Sequence, residues 1–411
     1  MNYYRFFILN SKILIFLVLF TFFSGFGQTF LLSIYIPHFL NDFEISRTFF
    51  STIYSIATIF SGLSLIVAGK IIDKVKIIHF SLAVITGLIF ANIFASISFN
   101  AITLFIAIYL LRFFGQGLST HTAFTVAGKY FNKARGKALS IAYLGFPFTE
   151  GIMPIVILTC IGIFGWRTTF LLSAISILII LLPLTIYLLN KFNPINIIEN
   201  YGKDKAEPTI KNNNVIAASI SQKQVIKSNK FYLIALTPFL VGFIITALFF
   251  FQTFIAEYKG WTIEWMAVNI SVYALASFLF SVFGGPLIDR FTARKLFPFI
   301  VIPLALGLIV IAIFSSPIVA VFYWFLVGIT AGINSTVSNA LYAEIYGTES
   351  LGAVRSLFTF VMIIGTALGP IVYSLLLDVG LNFSTINVFI AIAVFINVVV
   401  LCLSSKALGS N

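Results

Sequence analysis

The chain has 411 residues, a formal charge of +12, 60% apolar and only 9% charged residues, and a mean hydropathy of +1.07. Soluble globular chains carry about 25% charged residues, so this one cannot coat a water-soluble particle. Its excess of basic residues, distributed as described below, argues for a lipid surface and against a nucleic-acid partner.

In chain order, residues 1–12 do not read as a signal peptide. The apolar run from Ile13 is too long for an h-region, and no small-residue cleavage site follows. Apolar blocks of about 18–27 residues suffice to cross a hydrocarbon core of about 30 Å. They predict twelve spans, at 13–37, 47–69, 78–98, 101–128, 137–160, 167–190, 230–256, 264–284, 295–314, 317–343, 353–377 and 384–404. The one long polar stretch, 191–229, holds Asn193, Pro194, Lys203, Asp204, Lys205 and the run Asn212-Asn213-Asn214. It reads as a linker, with a short surface helix near 215–228. The fold class predicted is an all-α membrane protein: a six-helix half at 1–190, the linker at 191–229 and a second six-helix half at 230–411.

The two halves repeat. Gly69-Lys-Ile-Ile-Asp73-Lys74 returns as Gly285-Pro-Leu-Ile-Asp289-Arg290, and at the same offset Tyr130 maps onto Tyr346, Gly136 onto Gly352, Ser140 onto Ser356 and Pro154 onto Pro370. A parallel repeat of six spans is the arrangement of a transporter with two pseudo-symmetric halves. With both termini cytoplasmic, only Arg47, Arg167 and Lys259 of the 25 Lys and Arg fall outside, and Arg112 lies within a span. That bias is the positive-inside rule, and it predicts cytoplasmic termini and linker.

The repeated Gly-x-x-x-Asp-Lys/Arg signature, in the loops after spans 2 and 8, resembles the major facilitator superfamily over nearly the whole chain. Arg112-Phe-Phe-Gly-Gln-Gly-Leu118, Lys129-Tyr-Phe-Asn-Lys-Ala-Arg-Gly136, Glu344-Ile-Tyr-Gly347 and Gly352-Ala-Val-Arg-Ser356 are similar to the bacterial branch near monocarboxylate and oxalate/formate porters. The resemblance implies a bacterial inner-membrane transporter working as a monomer. It also implies a latch at Gly69, Asp73, Lys74, Gly285, Asp289 and Arg290 that holds one state closed and breaks in the other. The alternative for this motif is topological charge and a tight turn. The first copy lacks the glycine and paired arginines that typically follow; Arg290-Phe-Thr-Ala-Arg294-Lys295 is closer to the pattern. Glycines and prolines of spans 5 and 11, among them Gly145, Pro154, Gly365, Gly369 and Pro370, predict kinks and close helix approach. Thr149 and Glu150 stand where the family's antiporter motif has Gly-Pro, so that motif is only partly matched.

Residues that break the repeat are candidates for chemistry. Arg112 maps onto Gly328 and Glu150 onto Thr366. At 1.5 Å per residue Arg112 lies about 17 Å from the outer end of span 4, and Glu150 about 20 Å from the inner end of span 5. Charges at that depth are functional by default. Arg112 suits a substrate carboxylate and Glu150 a coupling proton; the alternative is a static ion pair joining the two spans. Helical spacing places Gln116 and Ser119 on the face of Arg112, while His121, on the opposite face, reads as a packed histidine. In the family, spans 1, 4, 7 and 10 line the central cavity, which adds Gln28, Tyr35, Gln252 and Asn334 by position.

Other chemistry is not indicated. Gly128-Lys129, Gly136-Lys137 and Gly202-Lys203 are not followed by Ser or Thr, so no phosphate-cradling loop is present. Cys160 and Cys402 both fall in predicted spans, and no zinc or catalytic motif occurs. The expected protein is not an enzyme and uses no metal or cofactor. It is a secondary transporter of a small solute, best an organic anion such as a monocarboxylate, by symport or antiport. The alternatives are drug or metabolite efflux and a non-transporting membrane sensor.

Overall fold

A computed structural model describes residues 3–131, 134–190, 222–347 and 351–404; of the expected linker at 191–229, residues 191–221 lie outside them, and a short helix occupies Gln222–Lys227. Every regular element among the described residues is helical. Eleven helices are long and apolar enough to cross a membrane. One of them, Gly136–Leu189, has 54 residues, about 80 Å if straight and too long for one crossing. It folds back at Gly165, whose φ of 77° and ψ of 161° suit glycine almost alone. Tyr35 has Cys160 and Ser173 beside it, one from each side of that bend. The predicted spans 5 and 6 are therefore both present, joined through Gly165. An even number of crossings puts Ser11 and Leu403 on one face, called the terminal face below; its opposite is the far face.

Polar side chains set the helix starts. Ser46, Thr262 and Asn382 accept from the backbone N–H three residues on, and Asn100 and Thr103 form a reciprocal capping box. Two spans that look continuous in sequence are interrupted. Span 1 runs as Ser11–Phe23, a tight turn at Ser24–Gly27, an extended Gln28 and then Thr29–Asp42. Span 4 widens into a π-helical stretch at Arg112–Ser119. The two irregularities face each other, because a Cβ on Gly27 would strike the Leu111 carbonyl oxygen and lie 2.7 Å from the Gln116 nitrogen. Irregular backbone at membrane depth is tolerated only where protein buries it, and here each break covers the other.

The glycines of spans 5 and 11 do allow close approach. A Cβ on Gly145 would strike the Val18 carbonyl of span 1, and Cβ atoms on Gly365 and Gly369 would strike the Phe239 and Phe243 carbonyls of span 7. Between the halves, contact gathers toward the far face. Thr48 donates to Asp378 at 2.5 Å, Ser51 and Ser374 share a hydrogen bond of 2.6 Å, and Ser55 donates to the Ala367 carbonyl at 2.6 Å. These three rungs zip span 2 to span 11. Below them, toward the terminal face, the same two spans part around an apolar cleft of about 960 Å³.

Candidate substrate and coupling site

A cavity of about 360 Å³ lies among spans 5, 7, 10 and 11, within the usual size range of small-molecule sites. Its polar wall is one stripe of span 10: Asn334, Ser335, Ser338, Asn339 and Tyr342. Steps of one and three residues keep all five on one helical face. Ser338 donates to Asn334 Oδ1 at 2.7 Å, and Asn339 donates to the Ser335 carbonyl at 2.5 Å. Tyr143, Arg355, Thr359 and Thr366 complete the polar lining. Arg355 is the one charged side chain among the described lining residues. Its charge is close enough to act on the Tyr342 phenol.

Of the residues expected at the site, Asn334 is on this wall. Arg112 is not. It is 1% exposed, sealed behind the break in span 1. Its Nη1 donates to the Gly27 carbonyl at 3.3 Å and to Thr29 Oγ1 at 3.2 Å. The guanidinium carbon sits 4.9 Å from the Tyr54 ring centroid, and Thr29 and Tyr54 share a hydrogen bond of 2.5 Å. Nε and Nη2 of Arg112 have no hydrogen-bond partner among the described residues. A cation so placed is costly. The extended backbone at Gln28 exposes the carbonyl that holds it.

Glu150 is elsewhere. It is half-buried at the meeting of spans 5 and 8, close enough to Tyr143 and Tyr273 for its charge to act on both phenols. Its neighbour Gly151 accepts from Ser271 Oγ at 2.6 Å across that meeting. No ion pair joins Glu150 to Arg112 among the described residues. The expectation of a pair bridging spans 4 and 5 rested on depth alone; the two side chains point to different neighbours.

The expected stripe of Arg112, Gln116 and Ser119 assumed α-helical spacing. In the wider π-helical turn the register shifts, and Ser119 Oγ donates five residues back, to the Phe114 carbonyl at 2.7 Å. Gln116 and Gln28 are half-buried beside the paired breaks. Tyr35 is packed within the first half, its ring stacked on Phe170 at 4.2 Å. Gln252 begins the helix that resumes after Phe251 in span 7. It reaches across the halves, donating to the Phe30 carbonyl at 3.0 Å and to Ser33 Oγ at 2.6 Å. The polar stripe of span 10 beyond Asn334 was missed, although its spacing was readable in sequence.

The two signature copies differ in backbone. Gly69–Asp73 is a tight 3₁₀ turn, whereas Gly285–Arg290 continues the α-helix to Phe291. The close approach at Gly69 is made by His121, whose Nε2 donates to the Gly69 carbonyl at 3.0 Å. A Cβ on Gly285 would meet nothing within 4 Å. Lys74 and Arg290 are exposed, and the side chains of Asp73 and Asp289 lie outside the described residues. Just after the second copy, Glu344 of span 10 accepts from the backbone N–H groups of Ala293 and Arg294 at 2.9 and 3.1 Å.

The model of the Major Facilitator Superfamily matches residues 17–270 and again 239–407. The chain belongs to that superfamily. Two inward-facing crystal structures of a bacterial homolog to the human lysosomal transporter Spinster share the fold. The unoccupied form has a TM-score of 0.67 at 14% identity, covering 97% of this chain and 96% of the other. The occupied form has 0.66 at 16%, covering 99% and 97%. The probable plastidic glucose transporter 1 of Arabidopsis thaliana is 34% identical over 110 residues, which is 27% of this chain and 20% of that relative. A major facilitator is an integral membrane transporter rather than an enzyme.

Proposed function

We propose that this major facilitator moves a small organic anion, a monocarboxylate first of all, by alternating access between its halves. The observation that carries the reading is the charge of the 360 Å³ cavity. Arg355 supplies a guanidinium fork suited to a carboxylate. Amides and hydroxyls of span 10 line the same cavity. The motifs similar to monocarboxylate and oxalate/formate porters agree with this. Arg112 and Glu150 serve coupling: Arg112 through its grip on span 1, and Glu150 as the proton carrier where spans 5 and 8 meet. The protein works as a monomer. The basic residues put the terminal face in the cytoplasm of a bacterial inner membrane. On that orientation the zipped far face is the outer gate, and the Asp73 and Asp289 latches belong to the opposite state.

The test is uptake of labelled monocarboxylates, sugars and hydrophobic cations into proteoliposomes. Saturable carboxylate uptake is expected, with KM raised at least tenfold in Arg355→Gln and less in Arg355→Lys. Uptake of a sugar or a cation without any anion would refute the reading.

A further inference from the structure

The polar cavity has a neighbour. The cleft of about 960 Å³ between spans 2 and 11 is walled along most of its length by Leu63, Ile66, Phe360, Ile363 and Leu368, with His121, Thr125, Gln222 and Ser356 as its polar lining. Its walls are not packed shut: Leu63, Ile66 and Phe360 are 53%, 55% and 51% exposed. Its far end is closed by the Ser55–Ala367 hydrogen bond. Thr359 of span 11 borders both the cleft and the polar cavity. The two spaces therefore meet across one turn of span 11. One has Arg355 and hydrogen-bonding groups, and the other is lined chiefly by apolar side chains.

We propose that the substrate is an amphiphilic carboxylate, its head in the polar cavity near Arg355 and its single alkyl chain lying past Thr359 in the cleft between spans 2 and 11. This rests on the anion reading above and adds the tail. Neither space suits the other's guest: a tail among Asn334, Ser338 and Asn339 would strip those groups of hydrogen-bonding partners, and a carboxylate among Leu63 and Ile363 would lie unpaired in an apolar wall. The chain's own glycine marks where the tail passes. A Cβ on Gly62 would lie 3.7 Å from Ile363 Cγ2, which is ordinary contact. A larger side chain there grows into the cleft rather than into backbone.

The experiment is equilibrium binding of butanoate, octanoate and octylammonium to the full chain in lipid nanodiscs, corrected for partition into empty discs. Each methylene taken from water strengthens binding about fourfold, so octanoate should bind on the order of 100-fold more tightly than butanoate. Gly62→Leu should weaken octanoate at least tenfold and leave butanoate as it was. A wild-type protein that binds butanoate and octanoate equally overturns the tail site while the anion reading stands. Binding of octylammonium with no carboxylate overturns both. A double-tailed phospholipid that co-purifies with the protein and blocks octanoate also overturns the proposal, since it makes the cleft a lipid site. The wild-type chain-length series decides the question even if Gly62→Leu does not fold.

Discussion

Replacing Arg112 and Glu150 by Leu, singly and together, tests whether the two buried charges act on each other. A buried ion pair loses about 3–5 kcal/mol when one partner is removed, and recovers much of it when both become apolar. Such a pair would show a coupling of about 1–3 kcal/mol in the cycle. The structure leads to a different result. Arg112 donates to the Gly27 carbonyl and Thr29, while Glu150 faces Tyr143 and Tyr273, so they share no partner. Arg112→Leu forfeits two charge-assisted hydrogen bonds at about 1.5–3 kcal/mol each. It also removes a cation whose burial costs several kcal/mol. The net change is expected to stay within about 2 kcal/mol. The coupling with Glu150→Leu should fall within about 0.5 kcal/mol. Unfolding by SDS titration in mixed micelles measures the four stabilities, and counterflow in proteoliposomes measures transport. We expect additive stabilities, with transport absent from Arg112→Leu and from the double variant. A coupling above about 1.5 kcal/mol, or a double variant that regains transport, would refute this reasoning and make the charges a static pair.

Glu150→Gln should abolish net proton-driven uptake yet leave exchange of substrate across the membrane; loss of both, or of neither, counts against Glu150 as the proton carrier. Ser374→Ala removes one buried rung of the span 2–span 11 zipper, worth about 1 kcal/mol. It should raise the population opened at the far face about fivefold, read as faster labelling of a cysteine introduced at the far face outside the three rungs; unchanged labelling would show that the rung does not hold the gate. Gln252→Ala removes two hydrogen bonds between spans 1 and 7 and should shift the same readout by a larger factor, about 30-fold if each is worth about 1 kcal/mol.

The architecture was legible because membrane crossing is written in the length of apolar blocks, and the repeat in the spacing of Gly69 and Gly285. What sequence could not supply was the backbone at the breaks. Ser24, Gln28, Arg112, Gln116 and Ser119 interrupt the apolar blocks there, but the blocks resume on either side, so a reading by block length runs straight across Ser24–Gln28 and Arg112–Ser119. Only the apposition of Gly27 with Leu111 and Gly115 shows why the helix opens there. Depth arithmetic placed Arg112 and Glu150 at similar levels but carried no azimuth, and they turned out to face different neighbours. In sequence Arg355 lies at the start of span 11, away from mid-membrane depth. The cavity reaches down to it because spans 7 and 11 pack backbone to backbone through Gly365 and Gly369, leaving space on the span 10 side.

The break in the repeat at Arg112 has a physical counterpart on the other side. Gly328, its partner by repeat, packs so closely on span 8 that a Cβ would lie 2.5 Å from the Tyr273 carbonyl oxygen and 2.8 Å from Ala276 Cβ. A long side chain has no room there. The second half thus has a tight helix contact and a polar cavity where the first has a buried cation and a broken helix. The two functions are joined through span 1. Arg112 grips Gly27 and Thr29. The next residues on that helix, Phe30 and Ser33, accept from Gln252. Gln252 in turn starts the outer segment of span 7, whose inner segment supplies Thr246 and Val241 to the cavity wall. On the proposed reading, a substrate that moved span 7 would pull on the carbonyl that holds Arg112. Because that guanidinium is only partly satisfied, rearranging its contacts costs less than breaking a complete set would. A charge left incompletely bonded beside a broken helix is a poor structural strut, but it suits an element that must change partners each time the halves rock.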